Sequence, residues 1–102
     1  MKNNRYDIEL EYRKAGAIAD KLEEIGRDMK KCSEDRLERT LSNVAECWKS
    51  ESTASFCRKG NAVQDGIASS SRRIANVAGT IRIIARNTRD AEMQALQILK
   101  KS

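Results

Sequence analysis

Cys32, Cys47 and Cys57 are the strongest nucleophiles in this 102-residue chain, and there is no histidine to act as their base. A thiol reacts as the thiolate and needs a nearby base or an electropositive setting. The three cysteines are an odd number with no CxxC spacing, so neither a disulfide framework nor a zinc site is implied. The absence of histidine also removes the commonest general base and the commonest metal ligand. No glycine-rich phosphate loop is present either. These residue types therefore point away from an enzyme, and no catalytic residue, metal ligand or cofactor is expected. The cysteines read as small buried hydrophobes. Cys47 and Cys57 flank the expected turn and are in principle placed for a bridge.

The elements carrying these residues are helical by composition. The chain has 34% charged and 4% aromatic residues and no proline. A β-sandwich or barrel of this size needs more aromatic and β-branched residues and more turn punctuation. Long helices are the structures that tolerate no internal proline. No apolar run approaches the roughly 20 residues needed to cross a bilayer. The stretch from Met1 to Asp7 lacks a hydrophobic run behind its basic residues, so no cleaved signal peptide is expected.

In the first half, Ile8, Tyr12, Ala15, Ala19, Leu22, Ile25, Met29 and Cys32 recur at steps of three and four, the stripe of an amphipathic helix. The stripe resumes at Leu37, Leu41, Val44 and Trp48 after a step of five. Reading Ser33 in place of Cys32 converts that slip into four-residue steps, a stutter. In the second half, Val63, Ile67, Ser70, Ile74, Val77, Ile81, Ile84, Thr88, Ala91, Ala95 and Ile98 alternate steps of four and three without a slip. Sustained heptads imply helix-on-helix packing. Ala62, Ala75, Ala78, Gly79 and Ala85 flank that stripe, small residues that let another helix approach closely. Gly60, Gly66, Gly79 and the serines at 69–71 cost helix propensity, up to about 1 kcal/mol per glycine, and persist mostly where packing compensates.

Between the stripes, Trp48-Lys49-Ser50-Glu51-Ser52 is a helix stop and restart, with Ser50 or Ser52 able to cap the second helix and Glu51 near its positive end. The expected fold is all-α, one domain over residues 1–102. It is an antiparallel hairpin of helix 7–47, turn 48–51 and helix 52–100. A lone hairpin leaves each stripe half covered, so pairing with a second hairpin, identical or not, into a four-helix bundle is expected. Ile67, Ile74, Val77, Ile81 and Ile84 are the expected partner seam.

Charge is uneven along the chain. Residues 1–50 hold 11 basic and 11 acidic side chains; residues 51–102 hold 9 and 4, which supplies the net +5. A basic second half suits nucleic acid, an anionic surface or an acidic partner. Arg72, Arg73, Arg82, Arg86 and Arg89 lie largely off the heptad stripe and read as a solvated face. Basic residues are not interleaved with aromatics, and no recognition-helix motif appears.

The run from Trp48 through Lys49 and Ser50 to Phe56, at mid-chain between two long helices, resembles the turn of the WxG hairpin family. These are the ESAT-like small substrates of type VII secretion in Gram-positive bacteria. Ser50 stands where that family has glycine. The family's export signal, an aromatic followed four positions later by an acid, is represented only by its acidic half, Asp90 or Glu92. No aromatic follows Phe56. The resemblance implies an interaction protein that binds another hairpin or the helical N-terminal segment of an LxG-type toxin. It also implies a composite signal presented to the secretion ATPase, and a chain cytoplasmic before export and secreted without a cleaved leader. The alternative from another class is a basic helical protein that binds nucleic acid or an anionic surface.

Overall fold

The computed structural model describes residues 4–47 and 51–101, without the side chain of Cys47. Apart from Asn4, every described residue is helical. Helix α1 spans Arg5–Lys31, a π-helical segment spans Cys32–Leu37, α2 spans Glu38–Cys47 and α3 spans Glu51–Lys101. The expected turn residues Trp48, Lys49 and Ser50 lie outside the described residues. No described helix is long and apolar enough to cross a membrane.

Helix α1 starts at Arg5 because Asn4 caps it: its side-chain oxygen accepts the Asp7 backbone N–H at 2.9 Å. This satisfies one of the donors orphaned at a helix start, and the Asp7 carboxylate sits near the positive end of the dipole. Lys100 and Lys101 close α3 at its negative end.

The chain divides into two compact units. One contains Met1–Glu23 and Asn76–Ser102, the other Glu24–Ala75. In the first, Arg89 lies over the Tyr12 ring, 4.1 Å from its centroid, and Arg82 pairs with Asp20 and Glu23. In the second, Gly26 meets Ser71, Ser33 meets Gln64 and Leu41 meets Gly60. Later residues of the first helical stretch meet earlier residues of α3 in both cases, so each unit is an antiparallel helix pair.

Apart from Ile8 and Leu41, the buried residues packed between the helices are small or polar. Ile8, Ala19, Ala78 and Leu41 are the buried apolar residues, and Ser33, Thr53 and Ser71 are buried beside them. Small side chains bring helix axes close, toward the lower end of the usual 8–10 Å spacing. The Ser71 hydroxyl donates to the Gly26 carbonyl at 2.7 Å, and a Cβ built on Gly26 would lie 3.4 Å from the Ser71 carbonyl oxygen. Among the described residues, no buried side-chain nitrogen or oxygen lacks a hydrogen-bond partner.

The slip in the first stripe is realised as the π-helical segment. The inward line runs through Leu22, Gly26, Met29, Ser33, Leu37 and Leu41. Each four-residue step overshoots an α-helical turn by about 40°, and three follow one another from Met29 to Leu41. The wider π turn, with its i→i+5 bonds, absorbs that overshoot; the Glu38 N–H bonds the Ser33 carbonyl accordingly. Ser33 is therefore the inward residue, while Cys32 is exposed. Ile25, expected in the stripe, is likewise exposed, and Gly26 is buried in its place.

One expectation for the cysteines is corrected. Cys32 is not a buried hydrophobe, because the π turn rotates it outward. Cys57 is half-buried, its thiol directed at the Leu41 carbonyl at 3.9 Å; the Cys47 side chain, and with it the possible bridge, lies outside what the structure describes.

Candidate functional site

The seam expected on α3 is displaced by one residue from the line that packs. Ser71 and Ala78 face inward, whereas Ser70 is half-buried and Val77 is 51% exposed. The close approach of the helices explains this: the small residues take the line between them and leave the large aliphatic ones on the flank. Of the expected partner residues, Ile67, Ile74 and Ile81 are half-buried along the edge of the packed line, and Val77 and Ile84 stand in the open, Ile84 at 59% exposure.

The uncovered residues keep heptad spacing. Phe56, Val63, Ser70, Val77, Ile84, Ala91 and Ile98 fall at every seventh position of α3, and all but the half-buried Ser70 are exposed. Ile18 and Ile25, also seven apart, are exposed on α1. At about 100° per residue, these side chains lie about a quarter turn from the packed line, to the same side of it on both helices of each unit. The unit containing Glu24–Ala75 thus presents Ile25, Phe56 and Val63 on one face, and the other unit presents Ile18, Val77 and Ile84. Ile18 and Ile25 were not singled out as partner residues from the sequence; their seven-residue spacing was the available signal.

Phe56, the described residue of the turn motif, borders a cavity of about 310 Å³ with Val44, Ser52 and Thr53. The walls are almost wholly apolar. Such a cavity accepts an aliphatic or aromatic side chain and offers little to a polar one.

The possible export residues differ in setting. Asp90 is exposed and accepts a hydrogen bond from Arg89 Nε at 3.2 Å, while Glu92, two residues on, is half-buried. Desolvation lowers the Arg89 pKa, but the hydrogen bond to Asp90 and the charges of Asp90, Tyr12 and Glu9 together raise it above its ordinary value. The Tyr12 ring and Asp90 hold the Arg89 guanidinium between α1 and α3. Arg72, Arg73 and Arg86 are exposed, whereas Arg82 and Arg89 are half-buried and paired.

Among the described residues, no group of three Cys, Asp or Glu side chains is arranged to hold a metal. The arrangement can bury apolar surface and exchange ion pairs. Compared with protein-family models, curated proteins and solved structures, the chain matches none of them.

Proposed function

We propose that this chain is a WxG-like helical hairpin that binds a helical partner for type VII export, the partner being a second hairpin or the N-terminal helical segment of an LxG-type toxin. The observation that carries the reading is the exposed, heptad-spaced apolar side chains of α3 in each unit: Phe56 and Val63 in one, Val77, Ile84 and Ile98 in the other. Soluble monomers rarely leave such a set of large apolar side chains in water. These five are already about half covered, so burying the remainder contributes roughly 1 kcal/mol each, offset by the ordering and translational cost of association. A partner hairpin laid against these residues completes a four-helix bundle. The cavity beside Phe56 receives a partner side chain at the turn end, and Asp90 or Glu92 contributes the acidic half of a composite export signal.

The nucleic-acid reading has less support, because Arg82 and Arg89 are engaged with carboxylates on the protein itself.

Size exclusion with light scattering tests the proposal, run on the chain alone and with the helical N-terminal segment of an LxG-type toxin. The expected result is a self-paired or mixed assembly that Val77→Glu with Ile84→Glu reduces to monomer, with helical content retained because both side chains are exposed. A wild-type chain that stays monomeric in both samples overturns it.

A further inference from the structure

In the unit containing Met1–Glu23 and Asn76–Ser102, the side opposite Ile18, Val77 and Ile84 is built differently. A cleft of about 440 Å³ opens there between α1 and α3, with Arg13 on one wall and Arg86 on the other. Its floor is Gly16, Ala17 and Ala85, and a Cβ built on Gly16 would meet nothing within 4 Å. A ligand group can therefore reach down between the two guanidinium groups.

The neighbouring arginines are already occupied. Arg82 is paired with Asp20 and Glu23, and Arg89 is held by Asp90 over the Tyr12 ring. Arg13 and Arg86 are exposed and have no ion pair among the described residues. The cleft is lined by three guanidiniums against one carboxylate, Asp20. It has an unneutralised positive charge and two free planar forks facing a shared space. Guanidinium forks match carboxylate oxygens two at a time.

We propose that this cleft is a second docking site, for side-chain carboxylates on an acidic helix of a partner protein. It lies on the other side of the unit from the apolar face and does not depend on it. The number of free cations argues for a discrete carboxylate pair over a nucleic acid: two arginines match one pair of carboxylates but neutralise few phosphates of an extended chain. The small floor suits a helix surface laid between the forks.

The test uses the full chain and a fluorescent alanine-based helical peptide carrying Glu at i and i+4. The same peptide with Gln at those positions and a short duplex DNA serve as comparisons. Binding of the Glu peptide is expected to exceed that of the Gln peptide and to fall about tenfold or more in Arg13→Gln/Arg86→Gln. Arg72→Gln/Arg73→Gln removes the same charge from exposed positions outside the cleft and is expected to leave binding unchanged. Circular dichroism checks that both variants keep their helix content. Three results overturn the site: equal binding of the Glu and Gln peptides, no loss in Arg13→Gln/Arg86→Gln, or an equal loss in Arg72→Gln/Arg73→Gln. DNA bound more tightly than the Glu peptide, and weakened by Arg13→Gln/Arg86→Gln, overturns the carboxylate assignment in favour of nucleic acid.

Discussion

Ser33 and Gln64 exchange hydrogen bonds across the helix pair: the Ser33 hydroxyl donates to the Gln64 carbonyl, and Gln64 Nε2 donates to the Ser33 carbonyl, both at 3.2 Å. The Ser33 carbonyl also accepts the Glu38 N–H inside the π turn. One polar pair thus sets the register of α3 at the point where the first helical run changes its winding. Ser33→Ala and Gln64→Ala are each expected to cost about 1 kcal/mol. Their effects should nearly add, because each side chain bonds a carbonyl that survives truncation of the other. Urea denaturation of the two single variants and the double measures both.

Gly60 and Gly66 should respond to alanine with opposite signs. A Cβ at Gly60 would lie 2.3 Å from Leu41 Cδ2 and 3.1 Å from its Cγ, whereas one at Gly66 meets nothing within 4 Å. Gly66→Ala is expected to stabilise by about 0.5–1 kcal/mol through helix propensity alone. Gly60→Ala must displace the buried Leu41, an overpacking cost of about 1–3 kcal/mol that outweighs the same gain. Thermal unfolding of the two variants decides it, and adding Leu41→Ala to Gly60→Ala should relieve the clash.

Arg82 is the best-anchored cation between α1 and α3, shared by Asp20 and Glu23. All three side chains are at least a third exposed, so the gain is modest. Arg82→Met is expected to destabilise by no more than about 1 kcal/mol at low salt, with the difference shrinking as salt is added. Chemical denaturation in low and high sodium chloride measures the difference.

The described thiols should react in a fixed order. In a Cys47→Ser background, exposed Cys32 is expected to react with a thiol reagent before Cys57, which is half-buried and directed at the Leu41 carbonyl. Timed labelling followed by peptide mass mapping tests this.

On the proposed export role, Asp90→Ala with Glu92→Ala should lower export of the assembled complex more than partner binding, since neither residue is one of the exposed apolar side chains of α3. Quantifying the exported and cell-associated pools gives the answer, and unchanged export removes that role from both acids.

The two long helical runs and the slip near residue 32 were legible because helix period is a local property. A missing proline, a stripe at steps of three and four, and a five-residue gap are all visible along one strand of text. That the slip is a π turn with Ser33 inward was half visible, in the four-residue steps that Ser33 restores. Burial of Ala78 in place of Val77, and of Gly26 in place of Ile25, was not. Each helix carries two adjacent lines, one small and one large, and either satisfies the same period.

The sequence by itself determined that the chain is helical, where its winding changes, and that it carries more large apolar residues than one helix pair encloses. Only the tertiary structure decided which line each helix turns inward. That choice depends on how closely two backbones can approach, a property of facing pairs such as Gly26 with Ser71 and Leu41 with Gly60, which are far apart in the chain. The same choice leaves Val77 and Ile84 in water on one side and Arg13 opposite Arg86 on the other.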